Sequence, residues 1–202
     1  MKSVHVIIIL TILLIGCQSN QPDISQPDPD ETVIIDSLGS RAATMLLSNL
    51  QPALLNAISE GGPVNGINVC SDTAQALTHM ISQKLGDGIY VKRTTTRLRN
   101  PANAPDKFEN LALKHFHEAA THTGELPSNY MQKIDSGESV FYRYYKPMQV
   151  GGLCLNCHGQ PENISDPVKN ILKKHYPGDN ATGYNAGDFR GVVSVTIERN
   201  LN

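Results

Sequence analysis

Near its C-terminal end the chain carries Cys154-Leu155-Asn156-Cys157-His158, two cysteines three apart with a histidine directly after the second. This C-x-x-C-H spacing is the attachment pattern of a c-type haem. Each cysteine sulfur can add to a haem vinyl group as a thioether. The adjoining His158 then lies next to the iron and can ligate it through a ring nitrogen. The motif occurs once, so the expectation is a single covalent haem c. Zinc held by Cys154, Cys157 and His158 is the competing reading, and it lacks a clear fourth ligand nearby.

A second axial ligand has to come from elsewhere. Of four cysteines, two belong to the motif, Cys17 lies in the N-terminal segment, and Cys70 remains. A lone Cys70 reads either as an inert buried thiol or as the second ligand of the iron. Its expected place, at or just before a helix N-terminus opened by Ser71 or Asp72, favours a thiolate. No methionine follows His158, which excludes the common layout with a late methionine ligand. His79, Met80, His115, His117, His122, Met148 and His175 stay open as alternatives.

The elements that must position these residues follow from pattern. Thr32 to Ser59 repeats apolar residues with helical spacing, with Pro52 expected to kink it and Gly61-Gly62-Pro63 to end it. Val64 to Cys70 reads as a short turn or strand, and Thr73 to Lys84 as a second helix. Ile89 to Leu98 is rich in β-branched residues and reads as a strand. Period two would place Arg93, Thr95, Arg97 and Arg99 on one face. That face is either solvated or a clamp on haem propionates, which arginine binds bidentately. A helix near Asp106 to Thr121, a strand over Ser139 to Tyr145, a short helix over Asp166 to Tyr176 and a last strand over Arg190 to Glu198 complete the reading. Helices with separate, non-alternating strands predict an α+β domain with a largely antiparallel sheet.

Composition bounds the rest. The 202 residues are 40% hydrophobic and 18% charged, with no tryptophan, which suits a soluble core of modest aromatic content. A formal net charge of −2 argues against a nucleic-acid partner. At the N-terminus, Lys2 precedes an apolar run from Val6 to Ile15, too short to span a bilayer as a mature helix. It ends in Leu14-Ile15-Gly16-Cys17, which resembles the lipobox of bacterial lipoproteins. By that resemblance residues 1–16 are a signal peptide and Cys17 is lipidated; an ordinary secretory signal with a chance cysteine is the other reading. Gln18 follows where Asp often retains lipoproteins at the inner membrane, so the expected location is the periplasmic side of the outer membrane. Residues 17–31 carry several prolines and no core pattern and read as a flexible tether, leaving 32–202 as the domain.

Further residues carry a wider resemblance. Val91-Lys92-Arg93-Thr94-Thr95-Thr96-Arg97-Leu98-Arg99-Asn100-Pro101, with Asn103, Pro105-Asp106 and Glu109, is similar to a family of PAS-like c-type haem domains. Tyr145-Lys146-Pro147, Cys154-Leu155 with Cys157-His158-Gly159, and Gly183-Tyr184 with Gly187-Asp188 and Arg190-Gly191 continue the match over roughly residues 35–200. The resemblance implies a PAS-like fold: a central antiparallel sheet, flanking helices and a long first helix. It also implies His158 and Cys70 as the axial pair, and places Arg93, Arg97, Arg99 and Tyr145 among the cofactor-binding candidates. The function so implied is a low-potential cytochrome in one-electron transfer with a redox partner. The alternative is a haem-based redox or gas sensor acting through a separate signalling protein. Enzymatic peroxide or nitrogen-oxide reduction stands behind both, since no distal acid or base is singled out.

Overall fold

The computed structural model describes residues 21–198; the expected signal segment and Cys17 lie outside the described residues. The fold is α+β and PAS-like. One five-stranded antiparallel sheet has the order β1-β3-β4-β5-β2, built from β1 (Asp23–Ser25), β2 (Ile89–Thr94), β3 (Tyr130–Asp135), β4 (Val140–Gln149) and β5 (Phe189–Ile197). Helices α1 (Pro29–Asp72) and α2 (Ala74–Leu85) cover one face, and α3 (Lys107–His122) covers the other. Two short helices, α4 (Leu155–His158) and α5 (Asp166–His175), sit beyond the sheet with the C-x-x-C-H motif.

The first helix begins where its capping chemistry puts it. The Asp28 side chain accepts from the Glu31 amide at 2.8 Å and Glu31 accepts from the Asp28 amide at 2.9 Å, a reciprocal cap followed by Pro29 at the first helical position. Pairing starts earlier than a tether ending at residue 31 allows, because Asp23 to Ser25 already hydrogen-bond to β3. Pro52 sits inside the helix. Gly61 (φ −141°) and Gly62 (φ 70°) leave helical geometry as expected, but the helix resumes at once to Asp72 instead of passing into a turn or strand. Pro63 helps, since its fixed φ suits the first position of a new helical segment. Cys70 therefore lies in the last turn of α1, not at the start of α2, whose cap position is Thr73.

Period two divides β4 between two cores. Tyr144 joins Ile35, Leu46, Ile81 and Val195 under α1 and α2. Tyr145 joins Leu113, Phe116 and Val192 under α3. The helix rides so close to Tyr144 that a Cβ on Gly39 would stand 2.2 Å from the ring; glycine there is a packing requirement. On the other face, α3 opens with its own reciprocal cap of Asp106 and Glu109. Fully buried Glu109 also takes Lys92 at 2.8 Å and Arg143 at 3.4 Å, so its charge is compensated where burial alone would be costly.

Candidate functional site

The C-x-x-C-H motif is held by distant segments. The Gly183 amide donates to Gly159 O at 2.7 Å and the Tyr184 amide to His158 O at 3.0 Å. Arg99 donates to Asp179 at 3.0 Å and also to the carbonyls of Cys157 and Ala181. It thus ties the motif to the 179–184 segment with one guanidinium fork, for which arginine is suited and lysine is not.

His158 Nδ1 stands 2.6 Å from Ala181 O. A carbonyl only accepts, so Nδ1 carries the proton and Nε2 keeps its lone pair. Burial, with Arg99 and Arg190 nearby, pulls the imidazole down to about 3. The ring is neutral at ordinary pH and fixed in one tautomer, the state a metal ligand requires.

A cavity of about 440 Å³ opens beside the motif, and Cys154, Cys157, His158 and Cys70 all line it. The first three come from the motif and Cys70 from the last turn of α1. Leu54, Leu55, Ile58 and Ile67 of α1 and Leu153 supply apolar walls. Cys70, Cys154 and Cys157 are free thiols. Burial pushes the Cys157 thiol up to about 11, with Cys70 and Cys154 pressing the same way. The Cys70 thiol is raised too, by burial, against the lowering pull of Arg93 and Arg99. Cys70 sits at the C-terminal end of α1, so no helix N-terminus favours a thiolate, and Arg93 and Arg99 offset only part of the burial that keeps the thiol protonated.

The arginine face expected from period two is corrected. Strand β2 stops at Thr94 because the Thr95 hydroxyl accepts from the Arg97 amide and starts a turn, a local competition that Ser and Thr often win. Of the three arginines expected on that face, Arg93 and Arg99 line the cavity, together with Thr95, and Arg97 does not. Arg97 turns to the 180–182 carbonyls and lies 3.9 Å over the Tyr184 ring. Tyr145 lies elsewhere. It is fully buried on the α3 face, with its hydroxyl donating to Gln132 at 2.8 Å, and it is not part of the cavity wall. Arg190 does line the wall. The residue pattern pointed only indirectly to it: Gly191, a glycine inside a β-branched run, has φ 147° and would carry a Cβ only 2.4 Å from Thr94 O. That close crossing delivers Arg190 to the cavity.

None of the other ligand candidates borders this cavity. His79 faces Gln83, His115 stacks on Tyr130 at 4.3 Å, and Met148 packs against the sheet core. Residues present fit a haem on two counts. The donor set joins two thiols, a neutral imidazole and a further thiol around apolar walls. The buried Arg93 Nε has no hydrogen-bond partner, so a donor suited to carboxylate stands ready in the wall.

A family model described as Tll0287-like matches residues 19–198. The chain belongs to this family. No curated protein matches it. Among solved structures, the crystal structure of the cyanobacterial heme-protein Tll0287 is similar at 19% identity and a TM-score of 0.54. The alignment covers 87% of this chain and 99% of that one. At that identity the likeness speaks to the fold, and it agrees with the Tll0287-like architecture found here.

Proposed function

We propose that this Tll0287-like chain is a monohaem c-type cytochrome, with Cys154 and Cys157 as thioether anchors and His158 and Cys70 as axial ligands. The observation that carries this is the convergence of those four side chains on one apolar cavity, with His158 held neutral by burial and fixed in one tautomer by Ala181 O. Bound there, a haem supplies one-electron chemistry. Cys154 and Cys157 would hold it covalently as thioethers. His158 presents Nε2, and Arg93 offers a buried donor to a propionate. Sulfur ligation adds electron density and favours the oxidised state, so the reduction potential is low. The role is electron transfer with a redox partner protein.

Absorption spectra of the oxidised and reduced protein, beside those of Cys70→Ala, test the assignment. Covalent haem with a sulfur-ligand signature that Cys70→Ala abolishes is expected. A Cys70→Ala spectrum identical to wild type removes Cys70 as ligand. A midpoint as high as that of methionine-ligated cytochromes removes the low-potential role.

A second reading, a redox or gas sensor acting through a separate protein, draws on the Gly61-Gly62 break. Cys70 rides on a short helical segment beyond that non-helical joint, so it can withdraw while the sheet stays intact. Carbon monoxide that leaves the reduced spectrum unchanged counts against gas binding. We further propose export and anchoring through Cys17 at the periplasmic side of the outer membrane, supported by the lipobox-like Leu14 to Cys17 run. Labelled fatty acid that enters the wild type but not Cys17→Ser is the expected result.

A further inference from the structure

A second recess of about 760 Å³ lies between α3 and the 184–190 segment. It touches the first cavity only through Thr95 and Arg190, and nothing in the cytochrome reading uses it. Its wall is electrically unbalanced. Arg97, Arg190 and Lys114 line it, against Asp188 as the one carboxylate. Asp188 is already engaged, accepting from the Asn185 amide at 2.7 Å.

Both guanidinium groups lie against the same Tyr184 ring and line this recess. Arg97 lies 3.9 Å and Arg190 5.3 Å from the centre of the same Tyr184 ring. Arg97 spends Nε and Nη2 on the carbonyls of Asn180 and Thr182. A guanidinium has five donors, so Nη1 remains without a protein partner among the described residues. Arg190 spends Nη1 on Thr95 and the Arg97 carbonyl. Like charges lining one recess whose single carboxylate is already engaged create a site that an anion relieves. Lys114 adds a third positive charge at the rim, its own link to Glu118 being long at 3.8 Å and exposed.

The floor is different in character. Leu113, Leu126 and Phe189 are apolar, and Asn110 and Thr121 line the sides, each donating to a backbone carbonyl of its own helix region, Asp106 O and His117 O. A recess with cations at one end, an apolar floor and a few polar sides suits a small organic ligand more than a bare inorganic ion. We propose that this recess binds a small organic carboxylate, with Arg97 and Arg190 receiving the carboxylate and the α3 side of the recess receiving the carbon body. The site shares Arg190 and Thr95 with the first cavity but takes Arg97, Lys114 and its apolar floor from its own wall.

Titration calorimetry on the full, haem-loaded chain with lactate, malate and succinate tests this, with phosphate and chloride at matched ionic strength beside them. The expected result is saturable binding of at least one carboxylate that phosphate does not reproduce. Lys114→Glu, which reverses the rim charge, and Ala120→Phe, which fills the recess from α3, each weaken that binding at least tenfold. Both lie on the surface of α3, outside the first cavity, and thermal melts confirm that they fold. No saturable heat with any carboxylate overturns the proposal. So does phosphate binding as tightly, or carboxylate binding unchanged in both variants.

Discussion

The sheet and the motif end of this molecule are held by different forces. Under α1 and α2, residues such as Leu46, Tyr144 and Val195 are wholly or almost wholly buried and have no alternative place to go. Around His158 the backbone is short turns, and its position depends on bonds from far along the chain: Arg99 to Asp179, Ala181 to His158, Tyr184 to His158. Burial is non-directional and tolerates small errors, whereas hydrogen bonds fix an orientation and lose it quickly when a partner goes. A reactive site built the second way can be disturbed without unfolding the domain.

Several variants break or sharpen that contrast. Replacing both Cys154 and Cys157 by alanine should have the largest effect on the motif end: all covalent haem is lost by mass spectrometry, while far-ultraviolet circular dichroism still reports the sheet. Leu46→Ala attacks the opposite end. It should lower unfolding stability by about 3 kcal/mol in urea, the range for a buried leucine, and leave the haem spectrum unchanged once folded. Arg99→Ala should fall between them. It removes the ion pair to Asp179 and the donor to Cys157 O and costs about 2 kcal/mol, and it alters the haem spectrum because His158 loses its fixed neighbourhood. Tyr145→Phe removes one buried hydrogen bond, so about 1 kcal/mol is expected with no spectral change. A spectral change there would place Tyr145 back at the cofactor.

The smallest effect is a pH dependence at the cap of α1. Burial pushes the Glu31 carboxyl up, but hydrogen bonds from Lys133, Tyr142 and the Asp28 amide outweigh it and hold the group below its usual value. A lowered carboxyl stabilises the fold above its unfolded pKa and loses that contribution as pH falls through the folded value. The stability difference between wild type and Glu31→Gln should therefore be present at pH 7 and shrink in acid below about pH 4. A difference that stays constant down to pH 3 shows that Glu31 acts through shape alone.

Much of the frame was readable because its signals are local. The Asp106 cap, the apolar period of α3 and the β-branched run of β5 each state their own structure. Strand β3 was not readable: Tyr130 to Asp135 mixes polar and apolar residues, and buried Gln132 looks like a surface residue until Tyr145 binds it. Strand β1 was hidden in the supposed tether because all three of its residues are exposed, so no alternation marks it. The overlong reading of β2 failed at Thr95, where the side chain competes with the ladder.

By itself the sequence determined the chemistry on offer: two thiols and an imidazole at the spacing of C-x-x-C-H, a leftover Cys70 and a row of arginines. Those are properties of residue type and covalent spacing, which no fold can change. Only the tertiary structure decided which of them meet. It brought Cys70 from the last turn of α1 to the motif's cavity, kept Arg93 and Arg99 there, sent Arg97 to Tyr184, and put Arg190, not Tyr145, in the cavity wall. Such meetings depend on where a strand stops and how closely two backbones cross, and both are set by contacts between residues far apart in the chain.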